Sequence, residues 1–437
     1  MRRIVTFLTI FIAFSYTASA QMSSDGVEAV RSRTIPYAKV ADARSGEIAR
    51  SRYALTLSEW SETASEAGSS YTAHFPVSVD WLNRQVILRI GFADKALRVF
   101  VNGREVGFVA CGAYGAELNI TKRVNEGRNE VCLKVDSGAT INRLYAPHSQ
   151  VKGKSVGVFA DVEILCPPTI RLRDIVSQTS LNGVGGGVVE VAMPVKCDAL
   201  NRKSAKMNYR LHLNDTVVVA QGSREISLAM RAEDTLRFAT TLPKELLWSA
   251  KSPTMLRLDV ESRIDNRVVE CVSRTIALRS LEVKRDKLYV NGEPVSLRLA
   301  EWEAAAGLDE VVKLGYNGII VNAGYGLESV LRECEQRGLY VIVRAPIDTT
   351  TLGDDIRKGG NPTNDPAWSE AFVERCVGIV NATKHSGAVV GYMLGRGKTC
   401  GVNIYDAYLL VKSRVPDHIV LYEGANGEWC SDRVAVR

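Results

Sequence analysis

Where a parallel strand hands its last residues to a reactive site, this chain supplies no acid. In VVGYMLGRGKTCG (389–401), Val389, Val390, Tyr392 and Leu394 suit a buried strand and Gly395 ends it, but Arg396, Gly397 and Lys398 follow, with no carboxylate, thiol or imidazole among them. In an α/β barrel such residues face the active site, so acid–base and nucleophilic chemistry is excluded from this strand end. Other absences narrow the field. No Cys-x-x-Cys or His-x-x-His spacing occurs, which leaves a structural zinc site without its usual ligand pattern; neither a metal nor a cofactor is expected. No stretch beyond the N-terminus is apolar for long enough to cross a bilayer, so an integral membrane protein is not expected. The net charge is +6, but the basic residues are scattered rather than gathered on one element, and no nucleic-acid partner is expected.

The first twenty residues have the pattern of an export signal. Met1-Arg2-Arg3 is a basic start, Ile4 to Phe14 an apolar core, and Ala18-Ser19-Ala20 the small residues that a signal peptidase needs. The mature chain is expected to begin at Gln21 and to be periplasmic or extracellular. Nine cysteines is an odd number for such a protein. Cys111 and Cys132 flank a predicted strand pair and are candidates for a bridge, while Cys334 and Cys376 fall on apolar helix faces and read as core residues.

At 437 residues the chain is long enough for two or three domains, and 46% hydrophobic with 24% charged residues is ordinary for a globular protein. After an N-terminal segment (21–50), short alternating runs such as QVILRIGFA and ALRVFVNGREVGFV predict an all-β region over 51–167, a jelly-roll sandwich, with a hairpin at Asn102-Gly103. Residues 168–282 are also β-rich and of a size for an immunoglobulin-like sandwich. From 283 the period changes. LDEVVKLGY is expected as a helix with Leu308, Val311, Val312 and Leu314 on one face, and LESVLRECEQRG as a helix with Leu327, Val330, Leu331 and Cys334 inward. Strands alternate with these helices, which implies βα units around a parallel sheet. The fold class is therefore multidomain β plus α/β, ending over 283–437 in a partial TIM (β/α) barrel of about five strands.

The order of these modules resembles glycoside hydrolase family 2, the family of β-galactosidases, β-glucuronidases and β-mannosidases. VFVNGREVG and GVFADVEIL are similar to its first-domain segments, LLWSAKSPTMLRLDV to its Trp-Ser-x-x-x-Pro stretch, and IALRSLEVKRDKLYVNGEPVSLR to its link into the barrel, with Arg279 at the place of a usual arginine. The resemblance implies a retaining glycosidase, which needs two carboxylates about 5–5.5 Å apart. In the family, strand four ends in Leu-Gly-Asn-Glu, the glutamate being the acid/base; here Leu394 and Gly395 match, Arg396 stands for the asparagine and Gly397 for the glutamate. The roughly 155 residues from Val283 onward compare with about 250 for a full barrel, so the family's nucleophile, on a later strand, is not expected within this sequence.

The remaining candidates are displaced ones. Glu301 and Glu303 follow strand one and Glu423 ends strand five; together they offer a new acid/base pair or a cation site, against a reading in which they are solvated or paired with Arg344, Arg396 and Lys398. Trp302, Tyr325, Tyr392 and Arg396 are candidate sugar contacts, with core packing as the competing role for Tyr392. Trp60, Tyr71 and Trp81 are offered in the same way as a platform on the first domain. The expected function is that of an exported family-2-like protein without hydrolysis and at most carbohydrate-binding. The alternatives are a glycosidase working through displaced carboxylates, a barrel completed by a partner chain, and a remnant or scaffold. The unclosed sheet is expected to be the least stable part. Intact-mass analysis of exported protein is expected to show cleavage between Ala20 and Gln21; a retained N-terminus contradicts the export reading.

Overall fold

The computed structural model describes residues 22–65, 68–144, 151, 158–183, 186–302, 307–355, 357, 360–425 and 429–436. The export segment, Glu303, Val184 and Gly185 lie outside them.

The first β region is a sandwich of a four-stranded and a five-stranded sheet. Val99, Leu133, Leu88 and Ile164, drawn from both sheets, fill the space between. Alternation produces this layer because every second side chain of a strand points to the same face. The hairpin at Asn102-Gly103 forms with φ of +49° and +74°, the left-handed pair that a tight two-residue turn requires. Trp60 and Tyr71 set their ring edges on Phe159, with centroids 4.7 and 5.1 Å apart, and pack against this core.

The second region is another sandwich. One sheet is built on the long strand Gly186–Cys197, the other runs Val217–Leu228, Lys203–Leu213, Leu256–Ile264, Arg267–Ile276. A three-stranded meander, Leu281–Lys284, Lys287–Val290 and Glu293–Val295, turns at Asn291-Gly292 (φ +51° and +80°) and leads into the last domain.

There five parallel strands lie in sequence order: β1 (Leu299–Glu301), β2 (Gly318–Asn322), β3 (Tyr340–Arg344), β4 (Val389–Met393) and β5 (Ile419–Leu421). The helices are α1 (Leu308–Lys313), α2 (Leu327–Arg337), α3 (Ser369–Thr383) and α4 (Val402–Arg414). Along α2, Leu327, Val330, Leu331 and Cys334 are buried as the spacing predicts. α1 differs from expectation. Leu308 and Val311 are buried, but Val312 and Leu314 are exposed; the helix ends at Lys313, so Leu314 lies past it and does not continue the apolar face.

The barrel does not stand apart from the sandwiches. One apolar cluster runs from Phe108, Ile141 and Leu144 through Trp248 into the strand interior. Trp248 is fully buried, donates its indole N–H to the Glu335 carbonyl at 2.7 Å and sets its ring against Tyr340. Arg279 donates to the carbonyls of Gly387 (2.9 Å) and Val389 (2.6 Å), fastening the second sandwich to the base of β4. The N-terminal segment threads all three domains. It bridges Asp25 to Phe108 and Tyr37 to Cys271, and Glu374 on α3 accepts from the Ser24 N–H at 2.8 Å.

The seam between β5 and β1 is also not bare, contrary to the expectation of an uncovered edge. The Asp432 N–H donates to the Val420 carbonyl at 2.8 Å, its carboxylate accepts from the Val420 N–H and from Lys412 Nζ, and Val436 bridges Leu297 in parallel. Residues 429–436 thus reach from one sheet edge to the other. The cysteine expectation is corrected as well. Cys400 and Cys430 form the disulfide, whereas Cys111 and Cys132 are both free. Cys111 is buried in the cluster shared with the barrel, while Cys132 alternates with the buried Val131 and Leu133 and so points out of the sheet.

Because Trp248 joins that shared cluster, Trp248→Ala is expected to destabilise the whole chain by about 3–5 kcal/mol. Urea unfolding checks it: the fluorescence of the remaining tryptophans and far-UV dichroism should shift together, and a change confined to one domain's transition contradicts the shared core.

Candidate functional site

The carboxyl ends of the strands converge on Arg344, the last residue of β3. Register places Asn322 of β2 beside it on one side and Met393 of β4 on the other, and Glu301 ends β1. The Arg344 side chain is 1% exposed. A guanidinium carries five N–H donors in one plane. Arg344 Nη1 donates to Glu301 Oε2 (2.9 Å) and Asn322 Oδ1 (3.0 Å), Nη2 to Glu301 Oε1 (2.6 Å) and Glu423 Oε1 (2.8 Å), and Nε to Met393 Sδ (3.1 Å). The pair with Glu301 is bidentate, the strong geometry for arginine and carboxylate. Arg396 adds a contact to Glu301 Oε2 at 3.2 Å and lies 3.9 Å from Glu423 Oε1.

The structure therefore brings together Glu301, Glu423 and Arg396, with Arg344 at their centre. Burial works to raise the carboxyl pKa of Glu301, but hydrogen bonding and charge from Arg344, and then from Arg396, outweigh it and hold that pKa below its ordinary value. A carboxylate so held is ionised at neutral pH and is a poor proton donor. The same two guanidinium groups oppose a cation between the acids. Among the described residues no cluster of three or more His, Cys, Asp or Glu side chains is arranged to hold a metal.

Gly397 sits beside this cluster, and its missing side chain leaves no vacancy. A Cβ built there collides with Thr349 Oγ1 and Tyr422 Oη. Both are fixed: Tyr422 Oη donates to the Thr399 carbonyl at 2.9 Å, and the Thr349 N–H donates to the Arg396 carbonyl at 2.9 Å. Burial raises the Tyr422 phenol to about 12, so it remains protonated.

Other candidates are placed elsewhere. Tyr392 is fully buried, with its hydroxyl 3.3 Å from Thr383 Oγ1 on α3 and its ring 5.7 Å from that of His418; it packs between strand and helix and is corrected to a core residue. Tyr325, just past β2, presents its ring edge to Phe92 of the first sandwich at 5.8 Å, in a cavity between domains. Trp302 follows Glu301 directly, donates its backbone N–H to the Ile320 carbonyl at 2.9 Å and rests on the barrel core. Thr349 and Tyr422 were missed by sequence reasoning; no motif signals that a loop threonine and a tyrosine from another strand end fill one volume.

Comparison with known proteins agrees with this architecture. Residues 45–168 match the family model "Glycosyl hydrolases family 2, sugar binding domain", and residues 325–436 match "Glycosyl hydrolases family 2, TIM barrel domain". The β-galactosidase of Priestia megaterium is 23% identical over 378 residues, which are 81% of this chain and 36% of that protein. That of Yersinia enterocolitica is 25% identical over 384 residues, with 81% and 36% covered. The chain thus spans about a third of the length of these curated relatives. Among solved structures, a Bacteroides uniformis β-glucuronidase superposes with a TM-score of 0.64 at 14% identity, covering 81% of this chain and 46% of that one. A putative β-galactosidase from Bacteroides fragilis gives 0.64 at 14%, covering 92% and 63%.

The pairing at Arg344 has a pH signature. Glu301's lowered pKa contributes stability above its unfolded value of roughly 4.3, and that contribution is lost as pH falls through the lower folded value. Arg344→Met is expected to lower stability at pH 7 by on the order of 1–3 kcal/mol, the scale of hydrogen bonds to charged groups. It should also flatten this part of the acid dependence. Denaturation midpoints at pH 7 and across the range below 4.5 check both; an unchanged acid limb contradicts the assignment.

Proposed function

From a chain that belongs to glycoside hydrolase family 2, we propose an exported protein that engages carbohydrate without hydrolysing it. The observation that carries this reading is the position of Gly397. At the strand end where the resemblance places the family's acid/base glutamate, the chain has no side chain, and Thr349 and Tyr422 occupy the volume that one would need.

The nearer carboxylate, Glu301, does not suit the role. A displaced general acid must hold a proton at neutral pH, which calls for burial without a counter-charge. Glu301 has the opposite surroundings, with Arg344 and Arg396 bonded to it. A displaced nucleophile needs a free lone pair aimed at the sugar. Glu301 commits both oxygens to arginine, and Glu423 commits Oε1 to Arg344. The family's β-galactosidase relatives supply the substrate class to be tested, sugars joined through β-linkages.

The expected outcome is no release of aryl alcohol from nitrophenyl β-galactoside, β-glucuronide, β-mannoside or β-glucoside. Turnover that disappears when Glu301, Glu303 and Glu423 are all changed to Gln sinks the reading and promotes the displaced-carboxylate alternative. Gly397→Glu is expected to restore nothing and to destabilise the fold by about 1–3 kcal/mol through overpacking, read from its denaturation midpoint.

A further inference from the structure

Two adjoining cavities, of about 320 and 410 Å3, lie between the N-terminal segment and the outer side of α2, the first walled also by the first sandwich and the second by the second sandwich. They share Arg33, Glu328, Leu331, Arg332 and His385 as walls. None of the residues bonded to Arg344 lines either one. We propose that this interdomain cleft is a binding site for a neutral sugar of one or two rings, separate from the barrel mouth; the ligand class rests on the carbohydrate reading above, the location does not.

The argument begins with polar atoms that the protein leaves unmet. Arg31 Nε, Arg33 Nε and His385 Nδ1 are buried and have no hydrogen-bond partner among the described residues. They come from two distant parts of the chain and meet at one cleft. A buried polar atom without a partner carries its desolvation cost uncompensated, so three at one place point to a group that satisfies them.

The charges decide what kind of group. Arg33 pairs with Glu163 at 2.6 Å, Arg31 with Glu233 at 3.0 Å, and Arg332 with Glu328 at 3.3 Å. Arg89, which also lines the cleft, shares Glu163 at 3.4 Å. The guanidiniums are already countered, so an anion gains little and meets Glu328. Burial works to raise the Glu328 pKa, but the charges of Arg33, and then of Arg332 and Arg89, outweigh it and hold it below its ordinary value. A cation meets the arginines. His385, lowered to about 4 chiefly by burial and then by Arg274, is neutral at pH 7 and offers one ring nitrogen as donor and one as acceptor.

A ligand that donates and accepts at once without net charge fits these walls, and sugar hydroxyls do so. The volume lies at the small end of the range for small-molecule sites. Tyr325, already edge-on to Phe92, adds an aromatic wall.

Titration calorimetry on the mature chain tests this with methyl β-galactoside, methyl β-glucoside, methyl β-mannoside, lactose and galacturonate. At least one neutral probe is expected to bind. His385→Phe keeps the ring volume and removes the nitrogen, and Arg33→Lys keeps the charge beside Glu163 and removes Nε. Each is expected to weaken binding about tenfold, as loss of a hydrogen bond does, with the melting temperature held. Arg396→Met at the mouth is expected to leave binding intact. Binding that survives both cleft variants but fails in Arg396→Met overturns the location and leaves the carbohydrate reading standing. Galacturonate binding more tightly than methyl β-galactoside overturns the neutral-ligand assignment, and no binding by any probe overturns both. If Arg33→Lys does not fold, His385→Phe alone decides.

Discussion

A guanidinium buried at the end of a parallel sheet must be met on every side, and the barrel of this protein is arranged around that requirement. Arg344 lies among Ile342, Val343 and Ala345, all buried, where an uncompensated charge is costly. Its five contacts come from four different strands or strand ends. Each contact fixes one strand end relative to β3, so the geometry of the mouth follows from satisfying one side chain. It also follows that the mouth's acids act as counter-ions. A carboxylate bonded to a buried arginine is favoured in its charged form, and removing Arg344 would leave Glu301 and Glu423 with Arg396 as the guanidinium beside them.

The glycines around β4 and β5 express a second constraint, close approach of backbone to backbone. Gly395 has φ of +124° and lies against Ile347. A Cβ on Gly424 would meet the Gly397 carbonyl, and one on Gly401 the Thr363 carbonyl. The Cys400–Cys430 disulfide joins the same two loops. Gly397 belongs to the same close packing, with Thr349 and Tyr422 in the space that a Cβ would take.

Much of the scaffold was legible in the sequence because it rests on local rules. Asn102-Gly103 and Asn291-Gly292 turn as that dipeptide does wherever left-handed φ is needed, and Leu327, Val330, Leu331 and Cys334 face inward because helical spacing puts them on one side. Reading failed where the answer depends on residues far apart in the chain. Nothing local to Tyr392 says whether it faces the mouth or α3, and Cys400 lies thirty residues from Cys430 while a nearer-looking candidate pair stays free. The N-terminal segment carries no regular pattern of its own. Its role came only with tertiary contacts, such as Arg274 donating to Ser32 Oγ (2.6 Å), to the Arg33 carbonyl (3.0 Å) and to Thr34 Oγ1 (3.0 Å). At the mouth, the acids and arginines could be named from sequence, but whether they were reactive or paired is a matter of a few tenths of an ångström.

The mouth and the interdomain cleft solve the same electrostatic problem in different ways. Both gather arginines and glutamates. At the mouth the donors of Arg344 are all used internally, which stiffens the strand ends, and Trp302 Nε1 beside them is a single buried donor left unmet among the described residues. In the cleft the charges are balanced pairwise, yet Arg31 Nε, Arg33 Nε and His385 Nδ1 find no partner among the described residues beside open volume. Recognition is favoured where binding completes hydrogen bonds that folding left undone, because the desolvation cost of those atoms has already been met in the free protein. By that criterion the better receptor lies on the outer side of the helices, at the joint between domains. The N-terminal segment there contributes Arg31 and Arg33 from one side, and the turn after α3 contributes His385 from the other. A ligand held across that joint would also couple the N-terminal segment to the barrel, since each side supplies atoms that the other does not.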